Sequence, residues 1–460
     1  MFNPEIQFRC TIIRGKAKTD LDNLLPKYAK IIQEICPSSK DEFPRIFNEY
    51  LERIIGGTKK TLDNHRTEIA GKLFGMYYYD SDNTVYPSER TLRFLENEDQ
   101  PAFFKDICVK FQFPNGMDSI HTIEEKISQN ISIRQFPFIL ELLNIAKENN
   151  TKITKDEIAY FVLNSLEVLQ SNVPPIQVYE KIIEYRNLSK IVKVQDNEKA
   201  SSYSMQHINE QLNLLELANL IRTDHKVIYL NPYEKVAIDY IRSFHDKKPN
   251  FDVYQYSFSS IEDRKRLLHD WQVYFSSVDK GGIELFSTSI NAIQFNIEEK
   301  APKISDFDKI ALGDDGESFV FTYEKEKVEK YDKRLTNKVL LLGKTKGLGY
   351  DIQSIFADDS EKSEFVHYIE VKSTKRVTVP NEGIDGWIDA ITLTRNEWIA
   401  AEQHSNSFSI YRVYFTPEKI IVYVIRNPYL KNQERLVKCT PINYRLDFSL
   451  KSIDLTFEKV

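Results

Sequence analysis

The strongest chemical signal in the chain is Asp351 followed by Glu370-Val371-Lys372. The run Tyr350–Phe356 reads as a strand, and so does Phe365–Lys372. The polar stretch Ala357 to Glu364 between them reads as a loop, so Asp351 can be brought beside Glu370. Side chains alternate along a strand, so Glu370 and Lys372 point to one face, and Ile369 and Val371 to the other. Two carboxylates converging beside an ammonium suit a hard divalent cation. Mg2+ takes oxygen ligands, keeps waters and bridges to phosphate. The expected metal ligands are Asp351, Glu370 and Val371, the last through its backbone. Lys372 would orient or deprotonate an attacking water, and its charge suits a developing phosphorane.

Spacing alone does not single this triplet out. The same acidic-x-Lys pattern starts at Glu124, Asp224, Asp246, Asp263 and Glu298, all in polar surroundings that suit solvated helix faces or turns. Only Glu370-Val-Lys372 ends an apolar strand behind a partner aspartate. A plain cross-strand salt bridge is the competing interpretation. Glu317 is a further candidate, at the start of the helix that opens Gly316-Glu-Ser-Phe-Val. Asp314 three residues earlier makes a capping-box spacing, and an acid in a first turn suits the helix dipole anyway.

The elements that must carry these residues change character along the chain. Residues 1–150 read as helices, with Ser88 as the N-cap of one of them. Residues 151–245 read as three helices and a hairpin. Thr154-Lys-Asp-Glu forms a capping box, Pro174-Pro-Ile starts the second helix, and strands flank Asp224-His-Lys. That order is winged-helix-like, an arrangement whose third helix enters a DNA groove. Residues 246–300 read as a connecting segment. Residues 301–460 read as an α/β unit, with a helix over Gly316–Leu335, strands at Ser407–Phe415 and Ile420–Arg426, and a helix from Asn396 to His404. Thr394 and Glu397 have capping-box spacing at that last helix.

The 460 residues carry 62 basic and 68 acidic side chains, a net charge of −6, so a nucleic-acid surface must be a local basic patch. The four cysteines are scattered without a CxxC, and the eight histidines fall singly, so no zinc site is expected. No apolar run is long enough to span a membrane, and no signal-peptide pattern opens the chain. A bacterial cytoplasmic protein is the expectation. Gly343-Lys-Thr-Lys-Gly-Leu-Gly lacks P-loop spacing, so no motor is expected, and the loop is a candidate phosphate contact near Asp351.

Together, Gly316-Glu-Ser-Phe-Val, Tyr323-Glu-Lys, Gly349-Tyr-Asp-Ile-Gln-Ser, Tyr368-Ile-Glu-Val-Lys-Ser and Thr394-Arg-Asn-Glu-Trp resemble the NO VEIN C-terminal domain, over about residues 305–430. That domain is similar to PD-(D/E)xK nucleases. The resemblance implies a catalytic core of Asp351, Glu370 and Lys372, with Glu317 as the helix carboxylate of the same site. Tyr350 stands where the superfamily's name has proline. In the N-terminal half, Arg66-Thr-Glu-Ile-Ala-Gly-Lys-Leu-Phe-Gly and Ile133-Arg-Gln-Phe-Pro-Phe-Ile-Leu-Glu-Leu-Leu resemble restriction endonucleases of the AlwI kind. That resemblance implies that residues 1–245 read DNA, with Arg66, Lys72, Arg90, Arg93 and Lys226 as candidate contacts.

The resulting expectation is a multidomain protein with a helical N-terminal domain, a winged-helix-like middle and a nuclease-like C-terminal domain. It would act as a Mg2+-dependent restriction or phage-defence endonuclease on double-stranded DNA. One such site cuts one strand at a time, so a homodimer on DNA is expected. A cognate methyltransferase is the expected partner. The alternative is a non-cleaving DNA-binding or defence scaffold that keeps a nuclease-like fold.

Overall fold

The computed structural model describes residues 10, 17–190, 192, 200–295, 297, 316–343, 345, 347–358, 363–380, 389–437 and 439. Asp314, Glu298, Lys344 and Lys346 lie outside these residues. The N-terminal region is helical and the C-terminal region is built on a mixed sheet.

Helix α1 (Lys18–Ile35) buries Leu21, Leu25, Tyr28 and Ile32, the i, i+4, i+7 face of an amphipathic helix. Short strands β1 (Ser38–Ser39), β2 (Tyr77–Tyr79) and β3 (Thr84–Pro87) form a small antiparallel sheet in the order β1-β3-β2. Within the stretch 1–150 that reads as helices, His65–Leu73 winds as a π-helix instead of a regular α-helix. Helix α2 (Glu89–Asn97) starts where expected, with Ser88 Oγ accepting the Thr91 N–H. It ends at Glu98, which adopts a left-handed backbone with φ +47°. Helix α3 (Gln100–Lys110) follows and is buried along nearly its whole length.

Helix α4 (Gln135–Glu148) leads to β4 (Ile153–Thr154). The Thr154 capping box forms as expected, with Glu157 reciprocating. The helix it opens does not run unbroken to Leu169. It passes into a π-turn at Ala159–Leu163, and a separate turn covers Leu166–Leu169. Helices α5 (Pro175–Asn187) and α6 (Ala200–Leu217) precede the hairpin of β5 (Ile221–Asp224) and β6 (Val227–Leu230). Its two-residue turn holds His225 and Lys226 at φ +43° and +73°, the handedness that matches strand twist. Strand β4 adds to this hairpin on the β6 side. Helix α7 (Ile261–Ser276) packs Leu267, Trp271 and Phe275 into the same core as the preceding helices, and that core runs continuously from Cys10 to Phe286.

The C-terminal region has helix α8 (Gly316–Tyr331) and a five-stranded sheet. Its strands are β7 (Leu340–Leu341), β8 (Ile352–Ile355), β9 (Val366–Lys375), β10 (Phe408–Phe415) and β11 (Ile420–Arg426), ordered β11-β10-β9-β8-β7. Only the β9–β10 pair is parallel. The parallel pair is joined by helix α9 (Arg395–His404), as a crossover connection requires. Helix α8 covers one face, packing Phe319, Val320 and Val328 on Ile352, Ile369 and Val371. Helix α9 covers the other, packing Ala400 and Ala401 on Phe408 and Ile410. Within α8, Glu324 is fully buried and accepts from Ser354 Oγ, Tyr411 Oη and Lys327 Nζ. Its carboxylate therefore ties the helix to the sheet.

On the α8 side of β9, His367 stacks on Phe356 at 4.4 Å and meets Ser409 Oγ at 2.8 Å. Burial pushes its imidazole down to about 3, with Lys327 and Arg426 adding repulsion. Above pH 6.5 the ring is neutral folded or unfolded. Below that, the unfolded chain gains a proton that the folded chain refuses until about pH 3. The ring should therefore cost stability as pH falls through that window, by about 2 kcal/mol at pH 5. Denaturant titrations of wild type and His367→Gln should show a smaller acid loss in the variant, and parallel curves would refute this.

Candidate active site

The register of β8 on β9 places Ile352 opposite Ile369, so Asp351 at the mouth of β8 faces Glu370. Asp351 N–H donates to the Ile369 carbonyl at 2.9 Å, and Asp351 Oδ2 accepts the Val371 N–H at 2.8 Å. These two bonds fix the aspartate at the strand edge. Glu370 is 3% exposed, and Lys372 Nζ reaches its Oε1 at 2.6 Å. The three residues expected to form the core therefore do converge on the α9 face of the sheet.

Glu397 joins the site as a residue that its sequence spacing does not reveal. Its capping box with Thr394 forms as expected, but Glu397 Oε2 also accepts Lys372 Nζ at 3.0 Å. One carboxylate thus caps α9 and holds the lysine. The capping spacing accounted for Glu397 so fully that no signal remained for its second role.

Burial raises the Glu370 carboxyl well above the ordinary range. Lys372 opposes the rise, and Asp351 and Glu397 reinforce it. Burial also raises Asp351, against the Val371 N–H and Lys372. Burial alone would lower Lys372, but Glu370 and Glu397 outweigh it and keep the ammonium charged. Two facing carboxyls that resist joint ionisation form a place where a cation can substitute for a proton.

Glu317 comes from the first turn of α8. A Cβ on Gly343 would lie 2.2 Å from Glu317 Oε2 and 3.2 Å from Asp351 Oδ1. Both carboxylates border one small space that only glycine leaves open, so Gly343 of the glycine-rich loop is part of the site wall. Gly349 is needed for a different reason. Its φ is +76°, and a Cβ there would sit 2.4 Å from the Asn396 carbonyl of α9. Side-chain loss at this position lets α9 approach closely enough for Glu397 to reach Lys372.

Among the described residues, no group of three or more His, Cys, Asp or Glu side chains forms a metal cluster. A cation here would rest on a carboxylate pair, the Val371 carbonyl and water. That donor set matches Mg2+, which is commonly held by one or two carboxylates and keeps several waters.

The five candidate DNA contacts separate into two groups. Arg90 is 2% exposed, bound to Asp106 at 2.6 Å and to the Phe74 and Phe275 carbonyls, so it is no surface cation. Arg66 is likewise buried, bound to Asp63 and Asn48. Burying a guanidinium requires partners of this kind, and both side chains are turned into the fold and away from the surface. Lys72, Arg93 and Lys226 are at the surface, in ion pairs with Glu68, Glu284 and Asp156. Lys226, at the hairpin tip, has a side chain 71% exposed.

No helix among the described residues is long and apolar enough to cross a membrane. No curated protein matches the chain. A family model described as the C-terminal part of protein NO VEIN matches residues 316–425, the stretch that holds Glu317, Asp351, Glu370, Lys372 and Glu397. This meets the resemblance carried by the C-terminal motifs. A second family model, described as the N terminal of restriction endonuclease BpuJI, matches residues 2–272. Among solved structures, the BpuJ1 endonuclease binding domain, crystallised with pyrene- and phenanthrene-modified DNA, is 57% identical. It covers 60% of this chain and 100% of its own, with a TM-score of 0.58. A family match over more than half of its length, joined to this identity, places the chain in the BpuJI N-terminal family of restriction endonucleases.

Proposed function

We propose that the protein is a Mg2+-dependent DNA endonuclease of the restriction or phage-defence type, in which the N-terminal region reads duplex DNA and residues 316–437 cut it. The observation that carries this reading is the convergence of Asp351, Glu370 and Lys372 on one sheet face, behind a region 57% identical to a DNA-binding endonuclease domain. The α5–α6–β5–β6 order supports a winged-helix-like reader, with Lys226 at the wing tip for phosphate. The sheet, covered by α8 and α9, supports a PD-(D/E)xK nuclease-like fold.

Asp351, Glu370 and the Val371 carbonyl would hold the cation. When bound, Mg2+ supplies Lewis acidity at the phosphate and lowers the pKa of a coordinated water. Lys372 presents its ammonium beside Glu370, where it stabilises charge developing on the phosphate. Glu397 keeps that ammonium aimed, and Glu317 with Gly343 bounds the opposite side. The described residues hold one such constellation, so cutting both strands calls for a homodimer on DNA or successive nicking. A restriction role also calls for a cognate methyltransferase that protects the host's own sites.

The test is incubation with varied plasmid and phage DNA, with sequencing of the ends. Cleavage should require Mg2+ or Mn2+. Ca2+ should support binding without fast cleavage, because it is larger and tolerates looser geometry. EDTA should stop cleavage entirely, and undiminished cutting in EDTA would refute the metal assignment. DNA that is bound but never cut with any metal would instead point to a non-cleaving DNA-binding protein.

A further inference from the structure

The three elements that place Lys372 are β9, its neighbour β10 and α9, and the N-terminal region touches all of them at one spot. Glu98 is the left-handed residue that ends α2. Its carboxylate accepts Arg412 Nη2 at 2.7 Å, and Arg412 is the residue of β10 registered directly beside Lys372. Registered residues in a parallel pair share a face, so this tether lies one strand away from the site lysine on the same side of the sheet.

The Glu98 carbonyl accepts Thr374 Oγ1 at 2.9 Å and the Lys375 N–H at 3.3 Å, gripping β9 two and three residues beyond Lys372. Lys30 of α1 bridges the Glu98 carboxylate at 3.3 Å and donates to Thr392 Oγ1 at 2.6 Å. Thr392 lies two residues before the N-cap of α9, the helix whose Glu397 holds Lys372. Arg412 is 4% exposed at its side chain, and Lys30 and Glu98 are each 15% exposed, so the junction is largely shielded from water. Charge-assisted hydrogen bonds in such a setting are stiff and directional.

We propose that Glu98, with Lys30, is a positioning element of the cleavage site supplied by the DNA-reading region: it sets the relative placement of β9, β10 and α9, and through them the aim of Lys372. This rests on the nuclease reading above. Its consequence is that the reading region contributes to the rate of cleavage as well as to the choice of DNA.

The experiment uses the full-length chain carrying Glu98→Ala, with Glu98→Gln as a milder variant that keeps the shape and removes the charge. At saturating DNA and Mg2+, single-turnover cleavage should fall roughly tenfold or more, since small misplacements of reacting groups have effects of that size. Glu98→Gln should fall less. Affinity for DNA in a gel shift should stay within about twofold, a split that general destabilisation would not produce. Amide hydrogen exchange, read on the same proteins, should quicken in residues 366–375 and 394–404 and stay unchanged across residues 100–290. Wild-type cleavage rates in both variants would overturn the proposal. So would unchanged exchange in those two segments, a readout that holds even if no DNA is cut. Faster exchange in the two variants, with a wild-type protein that cuts no DNA, would support the positioning role and count against the nuclease reading alone.

Discussion

Replacing Glu370 by alanine should lower the rate of DNA cleavage by about a hundredfold or more, with Asp351→Ala and Lys372→Ala falling as far. The magnitude follows from where the groups sit. Glu370 is almost fully buried and Lys372 is held against it at 2.6 Å, so their charges act where water screens them poorly. Each residue also depends on the others. Without Glu370 the lysine swings to Glu397 alone, and without Asp351 the Val371 N–H loses its acceptor at the strand edge. Groups that act as one unit are not additive, so the triple variant should be little worse than any single one. Binding to DNA in a gel shift should survive in all of them, because the reading region is untouched. Gel-based cleavage time courses with matched binding assays decide the matter. Retained cleavage in Glu370→Ala would remove the nuclease assignment, and a triple variant much slower than the singles would mean the residues act independently.

Much of this site was legible because its signals are local. Strand alternation put Glu370 and Lys372 on one face, and the strand–loop–strand pattern brought Asp351 beside them. Strand β11 occupies the expected Ile420–Arg426, and both capping boxes, at Thr154 and Thr394, form as their spacing implied. What escaped depends on long-range packing. Arg90 looks like an ordinary surface cation in sequence, because the carboxylate and carbonyls that bind it are set by the tertiary fold. Arg66 has a local partner in Asp63, three residues before it, and only the packing of the fold shows that it is buried. Phe275, whose carbonyl receives Arg90, lies 185 residues away, and the Glu98–Arg412 tether spans 314. Glu397 escaped for the opposite reason, since a local rule explained it completely while a distant lysine used its remaining lone pair. The π-helix at His65–Leu73 keeps a helix-like apolar period over so short a run that the pattern reads as an ordinary helix.

The burial of Arg90 makes the second large expectation one of stability. Arg90→Ala should destabilise the N-terminal region by about 3–5 kcal/mol, the usual result of removing one partner of a buried ion pair. The loss is structural and specific. Asp106 would be left in the core without the guanidinium at 2.6 Å, and the Phe74 and Phe275 carbonyls would each lose a donor. The ring faces of Phe103 and Phe275, which the guanidinium covers at 5.6 and 5.0 Å, would border a cavity. Arg90→Lys should rescue little, because an ammonium cannot serve three acceptors arranged around a planar fork. Lys226→Ala provides the contrast. Its side chain is exposed at the hairpin tip and its pair with Asp156 is a surface one, so stability should change by less than about 0.5 kcal/mol. Its loss should instead weaken DNA binding and reduce the dependence of affinity on salt, as removal of one phosphate contact does. Thermal melting of the two variants, paired with gel shifts at two salt concentrations, separates the roles. An Arg90→Ala protein that melts with wild type and binds DNA poorly would reverse the assignment and return that arginine to the DNA surface.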